Sequence, residues 1–238
     1  MRLGKISAIS LDLDDTLWSF ADTLKHAEET LHLWLLEHAP RTASVLPTSI
    51  ALSELRNDYE RSHPELVGDF RALRIGSISL ALELANEDLQ LSELAYDVFF
   101  AARQKVTFFE DVMPALQWLS ARFPLVAVSN GNADLRLTGG SEFFRATLSA
   151  AAVGVAKPDA AIFHLAARAA GTAPAEMLHV GDDYQLDVEG ALNAGLQAAW
   201  LVRGATAVLP PATAAGKNAH LTINELTTLC RALGAPSI

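Results

Sequence analysis

Two stretches of the chain crowd carboxylates at the ends of short apolar runs: Asp12-Leu13-Asp14-Asp15-Thr16 and Val180-Gly181-Asp182-Asp183-Tyr184-Gln185-Leu186-Asp187. Where a chain is extended, residues two apart point the same way, so Asp12 and Asp14 aim into one pocket. Carboxylates brought together repel, and the cost must be offset by a cation, a shared proton, or both. A hard divalent ion such as Mg2+ suits a few carboxylates completed by water and phosphate oxygens. The plainer alternative is an acidic turn, with Asp15 and Thr16, or one of Asp182 and Asp183, capping a helix. A cap accounts for one acid and leaves the other acids between 182 and 187 unexplained.

Two further elements are weak singly. Val128-Ser129-Asn130-Gly131-Asn132 offers a hydroxyl, an amide and backbone N–H groups to phosphate oxygens, although Ser-Asn-Gly is also an ordinary turn. Lys157-Pro158 places a lone cation ahead of a helical pattern, a position that suits any exposed lysine.

The elements that must position these groups follow from hydrophobic patterning. KISAISLDL (5–13), LVAVSNGN (125–132), EMLHVGDD (176–183) and GLQAAWLV (195–202) read as buried parallel strands, the first three ending in polar or glycine residues. Helical patterns lie at 112–122, 158–170 and 184–194, with Pro158 suited to a first turn and Gly171 and Gly195 to C-terminal caps. Strands alternating with helices predict an α/β fold: a Rossmann-like parallel sheet flanked by helices, binding ligands at the carboxyl ends of its strands. Residues 18–106 differ, with amphipathic stretches near 21–39, 49–62, 69–86 and 88–105 and no strand pattern. The expected organisation is a catalytic core at 1–17 and 107–238 and an inserted all-α cap domain at 18–106. The stretch 204–219 reads as a long surface connection before a final strand and helix.

Composition bounds the partners. The 238 residues carry 18 Lys+Arg against 28 Asp+Glu, a net charge of −10, with no dense basic stretch. That balance argues against nucleic acid and against anionic membrane surfaces. The single cysteine, Cys230, forms no intrachain disulfide and no zinc cage. The N-terminal apolar run is broken by aspartates and reads as no signal peptide, and the Ala-rich stretches are too short to span a bilayer. The expectation is a cytoplasmic protein, monomer or homodimer, acting on a small molecule. Phosphate-loop, dinucleotide, nucleophile-elbow and zinc-protease motifs are absent from the sequence.

Taken in order and spacing, DLDDT (12–16), Ser129, Lys157 and GDDYQLD (181–187) resemble the motifs of the haloacid dehalogenase superfamily, over nearly the whole chain. The resemblance implies a Rossmann-like core with a helical cap and phosphomonoester hydrolysis. It implies Asp12 as nucleophile, forming an aspartyl-phosphate, and Asp14 as acid and then base. Mg2+ would be held by the Asp12 carboxylate, the Asp14 backbone carbonyl and Asp182, with Asp183 assisting through water. Ser129 and the Asn130 N–H would hold phosphoryl oxygens, Lys157 would neutralise charge, and Thr16 and Asp187 would lie behind them, Asp187 orienting Lys157. Dehalogenases carry a non-acid in place of Asp14, so its presence favours a phosphatase over a dehalogenase. A phosphomutase shares the same core. A phosphonate hydrolase would need a cap lysine, and 18–104 offers only Lys25. A receiver-like regulatory protein or a non-catalytic binder has no use for Asp14 beside a nucleophile at Asp12.

For substrate selection the cap offers Trp18 and Phe20 at its entrance, Arg103 and Lys105 at its return, and Arg71 and Arg74, three apart on one helix. ISAISLDLDDTLW, PLVAVSNGNAD and EMLHVGDDYQLDVEGALNAG look like stretches of bacterial phosphatases acting on FMN and on the phosphorylated ribityl-aminopyrimidine of riboflavin synthesis. Sugar phosphates and phosphoglycolate are the alternative esters. Six of the 28 acids fall in the two acidic motifs, leaving 22 against 18 bases elsewhere. Most of the negative excess therefore sits where a cation is expected.

Overall fold

The computed structural model describes residues 3–204 and 219–236. All but the end residues of the connection expected over 204–219 lie outside the described residues. The chain divides into two compact units, Met1–Ser19 with Thr107–Ile238, and Phe20–Val106.

The first unit is built on a six-stranded sheet: β1 (Ala8–Leu11), β2 (Leu125–Ser129), β3 (Ala146–Ser149), β4 (Met177–Gly181), β5 (Gln197–Leu201) and β6 (Leu221–Ile223). Their order is β3-β2-β1-β4-β5-β6 and every pairing is parallel. Chain order reverses between β1 and β4, the switch point at which such sheets open a crevice. Leu11 pairs with both Ala127 and Val180, so the loops after β1, β2 and β4 leave the sheet at one level.

β1, β2, β4 and β5 stay extended because their side chains are buried on both faces. One face packs Ala8, Val126, Val128 and Met177 against Ile162, Phe163, Ala166 and Ala170 of the helix Ala160–Ala170. Each large apolar side chain so buried contributes roughly 1.5–3 kcal/mol. That face carries two polar exceptions, Ser10 and His179, both buried. Strand β3 was not expected from the sequence. Its residues Ala-Thr-Leu-Ser are half-exposed on the sheet's edge, so no continuous apolar run marks it.

The expected helices at 112–122, 158–170 and 184–194 are found at Val112–Ser120, at Ala160–Ala170, and as a π-type turn Tyr184–Glu189 running into Gly190–Asn193. Pro158 does not open a helix: Asp159 is the N-cap, accepting from Ala161 N, and Pro158 precedes it through a cis peptide bond from Lys157. Gly171 and Gly195 cap as expected, with φ of 76° and 81°.

The second unit is all helical: Phe20–His38, Thr42–Val45, Ser49–Ser62, Phe70–Leu84 and Leu91–Arg103. Ala27, Leu31 and Leu35 recur every fourth residue and share a core with Ile78, Ala81, Leu82, Ala95 and Phe99. Among the described residues no helix is long and apolar enough to cross a membrane.

Candidate active site

Asp12 stands one residue beyond β1, its N–H bonded to Val180 O at 2.9 Å, and it is 8% exposed. Oxygens of Asp12, Asp182 and Asp187 lie within 4.8 Å of one another. Lys157, 4% exposed, reaches into this group, with Nζ 2.5 Å from Asp12 Oδ1 and 2.6 Å from Asp187 Oδ1. Thr16 Oγ1 donates to Asp182 Oδ1 at 3.2 Å, and Trp200 Nε1 donates to Asp182 O at 2.8 Å.

Asp187 is saturated by donors. Its Oδ1 accepts from Lys157 and from His179 Nε2 at 3.0 Å, and its Oδ2 accepts from Asp183 N at 3.0 Å. A carboxylate only accepts, so His179 donates from Nε2 and its Nδ1 takes the Ser10 hydroxyl at 2.8 Å. Gly181 makes room for this packing, because a Cβ there would run into the Asp187 carboxylate.

The electrostatics follow from crowding. Burial pushes the Asp12 carboxyl well above the usual carboxylate range; Lys157 pulls it down, and Asp187 and Asp182 push it up again. Burial, together with the charges of Asp187 and Asp15, pushes Asp182 up to about 7. Burial alone would raise Asp187 too, yet Lys157 and His179 hold it below the ordinary range. Burial would lower Lys157, but Asp12 and Asp187 raise it, so the ammonium is retained. His179 is lowered by burial against the pull of Asp187 and stays a neutral donor. One lysine thus pairs with two buried carboxylates, Asp12 and Asp187, beside the half-buried Asp182, and Lys157 with Asp187 makes the settled ion pair. Burial pushes Asp12 and Asp182 toward their neutral forms while no second cation stands beside them among the described residues, and their oxygens are hard donors of the kind a dication could take.

Ser129, at the end of β2, is buried and its Oγ accepts from Gly131 N at 2.9 Å. Asn130 grips the Lys157 peptide from both sides: Nδ2 donates to Lys157 O at 2.9 Å and Lys157 N donates to Asn130 Oδ1 at 2.8 Å. Asp14 accepts from Trp18 Nε1 at 2.8 Å on Oδ1. Asp15 turns the loop at a φ of 55°, a conformation aspartate tolerates better than most residues.

The structure therefore brings Asp12, Asp182, Asp187, Lys157 and Thr16 into one cluster. Asp183 stands apart from it: exposed, with Oδ1 capping the following turn through Gln185 N and Leu186 N, each at 2.8 Å. The capping alternative describes this residue. Trp18 is fully buried beside Asp14, not presented to a ligand. Arg71 and Arg74 do not form a shared cationic face. Arg71 is exposed and paired with Glu93 at 2.5 Å. Arg74 is 5% exposed, paired with Glu28 at 2.8 Å and stacked 3.8 Å over the Phe99 ring. Sequence reasoning missed His179, Ser10, Trp18's hydrogen bond and the Asn130 side chain's grip on the Lys157 peptide. A polar residue two positions before each acidic motif, Ser10 before Asp12 and His179 before Gly181, was the signal available.

Residues 6–195 match the family model described as haloacid dehalogenase-like hydrolase. The 5-amino-6-(5-phospho-D-ribitylamino)uracil phosphatase YigB of Escherichia coli (strain K12) is 32% identical over 203 residues, 84% of each chain. The glyceraldehyde 3-phosphate phosphatase of Methanopyrus kandleri is 30% identical over 207 residues, 84% of this chain and 85% of its own. The crystal structure of a 2-haloacid dehalogenase from Pseudomonas syringae pv. Tomato DC3000 is 33% identical, with a TM-score of 0.81 covering 96% of this chain and 98% of that one. With its acid-lined switch point and a family match across both motifs, the chain belongs to the haloacid dehalogenase-like hydrolases.

Proposed function

We propose that this protein is a Mg2+-dependent phosphomonoesterase that works through an aspartyl-phosphate on Asp12. The observation that carries the reading is the meeting of Asp12, Asp182 and Lys157 at the β1/β4 switch point, with a second carboxylic acid, Asp14, two residues after the first. A dehalogenase, whose halide leaves unprotonated, has no task for Asp14, so the phosphatase relatives guide the chemistry better than the dehalogenase structure does.

Asp12 attacks phosphorus and the ester P–O bond breaks; Asp14 gives its proton to the departing oxygen. Water then attacks the phosphorus of the aspartyl-phosphate, Asp14 takes the water proton, and inorganic phosphate leaves with the Asp12 carboxylate restored. Ser129 Oγ and the Asn130 N–H bind phosphoryl oxygens, and Lys157, with two of its three N–H groups on Asp12 and Asp187, offers the third. The Asp12 and Asp182 carboxylates and the Asp14 carbonyl would hold Mg2+, which would supply positive charge to offset an anion attacking an anion. Asp187 keeps Lys157 in place, and Thr16 keeps Asp182 in place. Asp183, held as a cap, acts at most through a water.

The Phe20–Val106 unit serves in this reading as the cap that selects the leaving group and keeps water from the acyl phosphate. FMN or a ribityl phosphate of the riboflavin pathway is the favoured ester; the name of the Escherichia coli relative, a phosphoribitylamino-uracil phosphatase, supports the ribityl phosphate. Sugar-phosphate and phosphoglycolate-type esters, or a phosphomutase acceptor, form the second reading; the Methanopyrus relative, a glyceraldehyde 3-phosphate phosphatase, supports a short sugar phosphate. Release of phosphate from p-nitrophenyl phosphate in Mg2+, lost in Asp12→Asn, tests the reaction. A panel of phosphate monoesters ranked by kcat/KM tests the substrate: FMN no better than unrelated sugar phosphates removes the flavin assignment.

A further inference from the structure

Trp18 is 0% exposed and packs edge-on against Phe108, with ring centroids 5.4 Å apart. A buried indole N–H needs an acceptor, and here it is Asp14 Oδ1 at 2.8 Å. The backbone enforces the meeting. Asp15 N donates to Trp18 O at 2.8 Å, residues 14 and 18 pair as a bridge, and Trp18 bridges in turn to Phe108. The indole ring is thus anchored from below by its own chain and from the side by residue 108.

Indole nitrogen is a donor only. Asp14 Oδ1 is therefore held as an acceptor, and because a carbonyl oxygen accepts better than a hydroxyl oxygen, the carboxyl proton, when Asp14 carries one, favours Oδ2. That second oxygen lies by the loop after β2: a Cβ built on Gly131 would stand 2.7 Å from Asp14 Oδ2 and 3.3 Å from Ser129 Oγ. One face of the carboxyl is turned to the scaffold and the other to the loop that offers Ser129.

We propose that Trp18 is a positioning residue for proton transfer, fixing Oδ2 of Asp14 as the oxygen that donates to the leaving group and later accepts from water. In the first step the Oδ2–H bond breaks and an O–H bond forms on the ester oxygen as its bond to phosphorus breaks. In the second, an O–H bond of the attacking water breaks and Oδ2–H is restored. This inference rests on the phosphomonoesterase reading above.

The test compares benzyl phosphate with p-nitrophenyl phosphate, esters of similar size. In a reaction through a covalent intermediate, kcat/KM reports the steps up to loss of the first product, the alcohol. Benzyl alkoxide needs a proton to leave, whereas p-nitrophenolate is a stable anion. Trp18→Phe keeps the aromatic contact with Phe108 and deletes the N–H. It is expected to lower kcat/KM for benzyl phosphate about tenfold or more, and for p-nitrophenyl phosphate less than about threefold. Phe108→Leu, which loosens the same packing but keeps the N–H, is expected to lower both alike. Should Trp18→Phe fail to fold, replacing Trp18 by 3-benzothienylalanine exchanges N–H for sulfur at nearly constant shape and is expected to give the same skew. Equal losses on the two esters, or a skew reproduced by Phe108→Leu, overturn this inference alone. An active Asp12→Asn enzyme overturns the aspartyl-phosphate reading and this inference with it.

Discussion

His179 Nε2 stands 3.0 Å from Asp187 Oδ1, the oxygen that also receives Lys157 Nζ at 2.6 Å. The imidazole therefore backs the counter-ion of the lysine, and Ser10 fixes which of its nitrogens carries the hydrogen. His179→Leu leaves Asp187 one donor short and is expected to destabilise the fold by about 1–3 kcal/mol and to lower kcat. His179→Gln, whose amide nitrogen reaches where Nε2 stood, should restore much of both. Urea unfolding alongside steady-state kinetics checks the pair; a glutamine variant no better than leucine would show that only the ring's packing on Phe163 matters.

Gly181 is a second consequence of Asp187 folding back on β4. Its φ is unremarkable, so the demand is for space and not for conformation: a methyl group there meets the Asp187 carboxylate. Gly181→Ala should displace Asp187, cost about 1–3 kcal/mol as overpacking does, and lower activity with little change in KM. Thermal unfolding and kcat measured together decide it, and a fully active alanine variant would contradict this packing.

These two residues mark the limit of what the sequence disclosed. The α/β sheet was legible because four of its strands are apolar runs buried on both faces, and the cluster was legible because acids at strand ends have few structural uses. β3, with an ordinary edge composition, was not. Nor were the links between motifs: Asn130's side chain closes on the peptide of Lys157, 27 residues away, and Trp18 turns inward to Asp14. A tryptophan after an acidic loop reads equally well as a ligand platform, and only the folded backbone decides between the two. Arg71 and Arg74 show the same ambiguity, since three-residue spacing brings side chains near one another but does not say which one Glu28 draws into the core.

Charge crowding predicts a reversal of stability with metal. In metal-free protein at neutral pH, Asp182→Asn removes the half-buried third carboxyl of a group in which one lysine pairs with Asp12 and Asp187, so its melting temperature should equal or exceed the parent's. With Mg2+ the order should invert, because the parent gains binding energy, about 2.7 kcal/mol at a hundredfold excess over Kd, that the variant largely lacks. Chelation with EDTA should abolish phosphatase activity and added Mg2+ should restore it. Calorimetric scans in both conditions test this; an unchanged order, or full activity in EDTA, would exclude a cation at these carboxylates.

Cys230 is buried, and burial pushes its thiol up to about 11. The folded state then favours the protonated form, so its contribution is intact below the ordinary thiol range and is lost as pH rises from about 9 through 11. At pH 8 the thiol should resist iodoacetamide in the native protein and react at the ordinary rate in urea. Rapid native alkylation at that pH would show the site to be open.

Arg203 ties the acidic loop to the rest of the core. Its Nε and Nη2 donate to Thr16 O at 3.0 and 2.8 Å, while Nη1 and Nη2 meet the two Asp111 oxygens at 2.9 and 3.1 Å. Asp111 Oδ2 also accepts from Leu226 N at 2.6 Å, and the guanidinium lies 4.1 Å over Phe109. The planar fork makes four hydrogen bonds here, two to the carbonyl and two to the carboxylate; an ammonium, with three N–H groups on one atom, cannot match all four. Arg203→Ala should cost about 3 kcal/mol, and Arg203→Lys should recover only part of it. The effect should also reach the site, because the Thr16 whose carbonyl is held here is the residue whose hydroxyl holds Asp182. Both variants are therefore expected to bind Mg2+ more weakly than the parent by isothermal titration, while Asp111→Asn adds less to Arg203→Ala than it costs alone. Parent-like Mg2+ affinity in Arg203→Ala would confine this arginine to holding the fold.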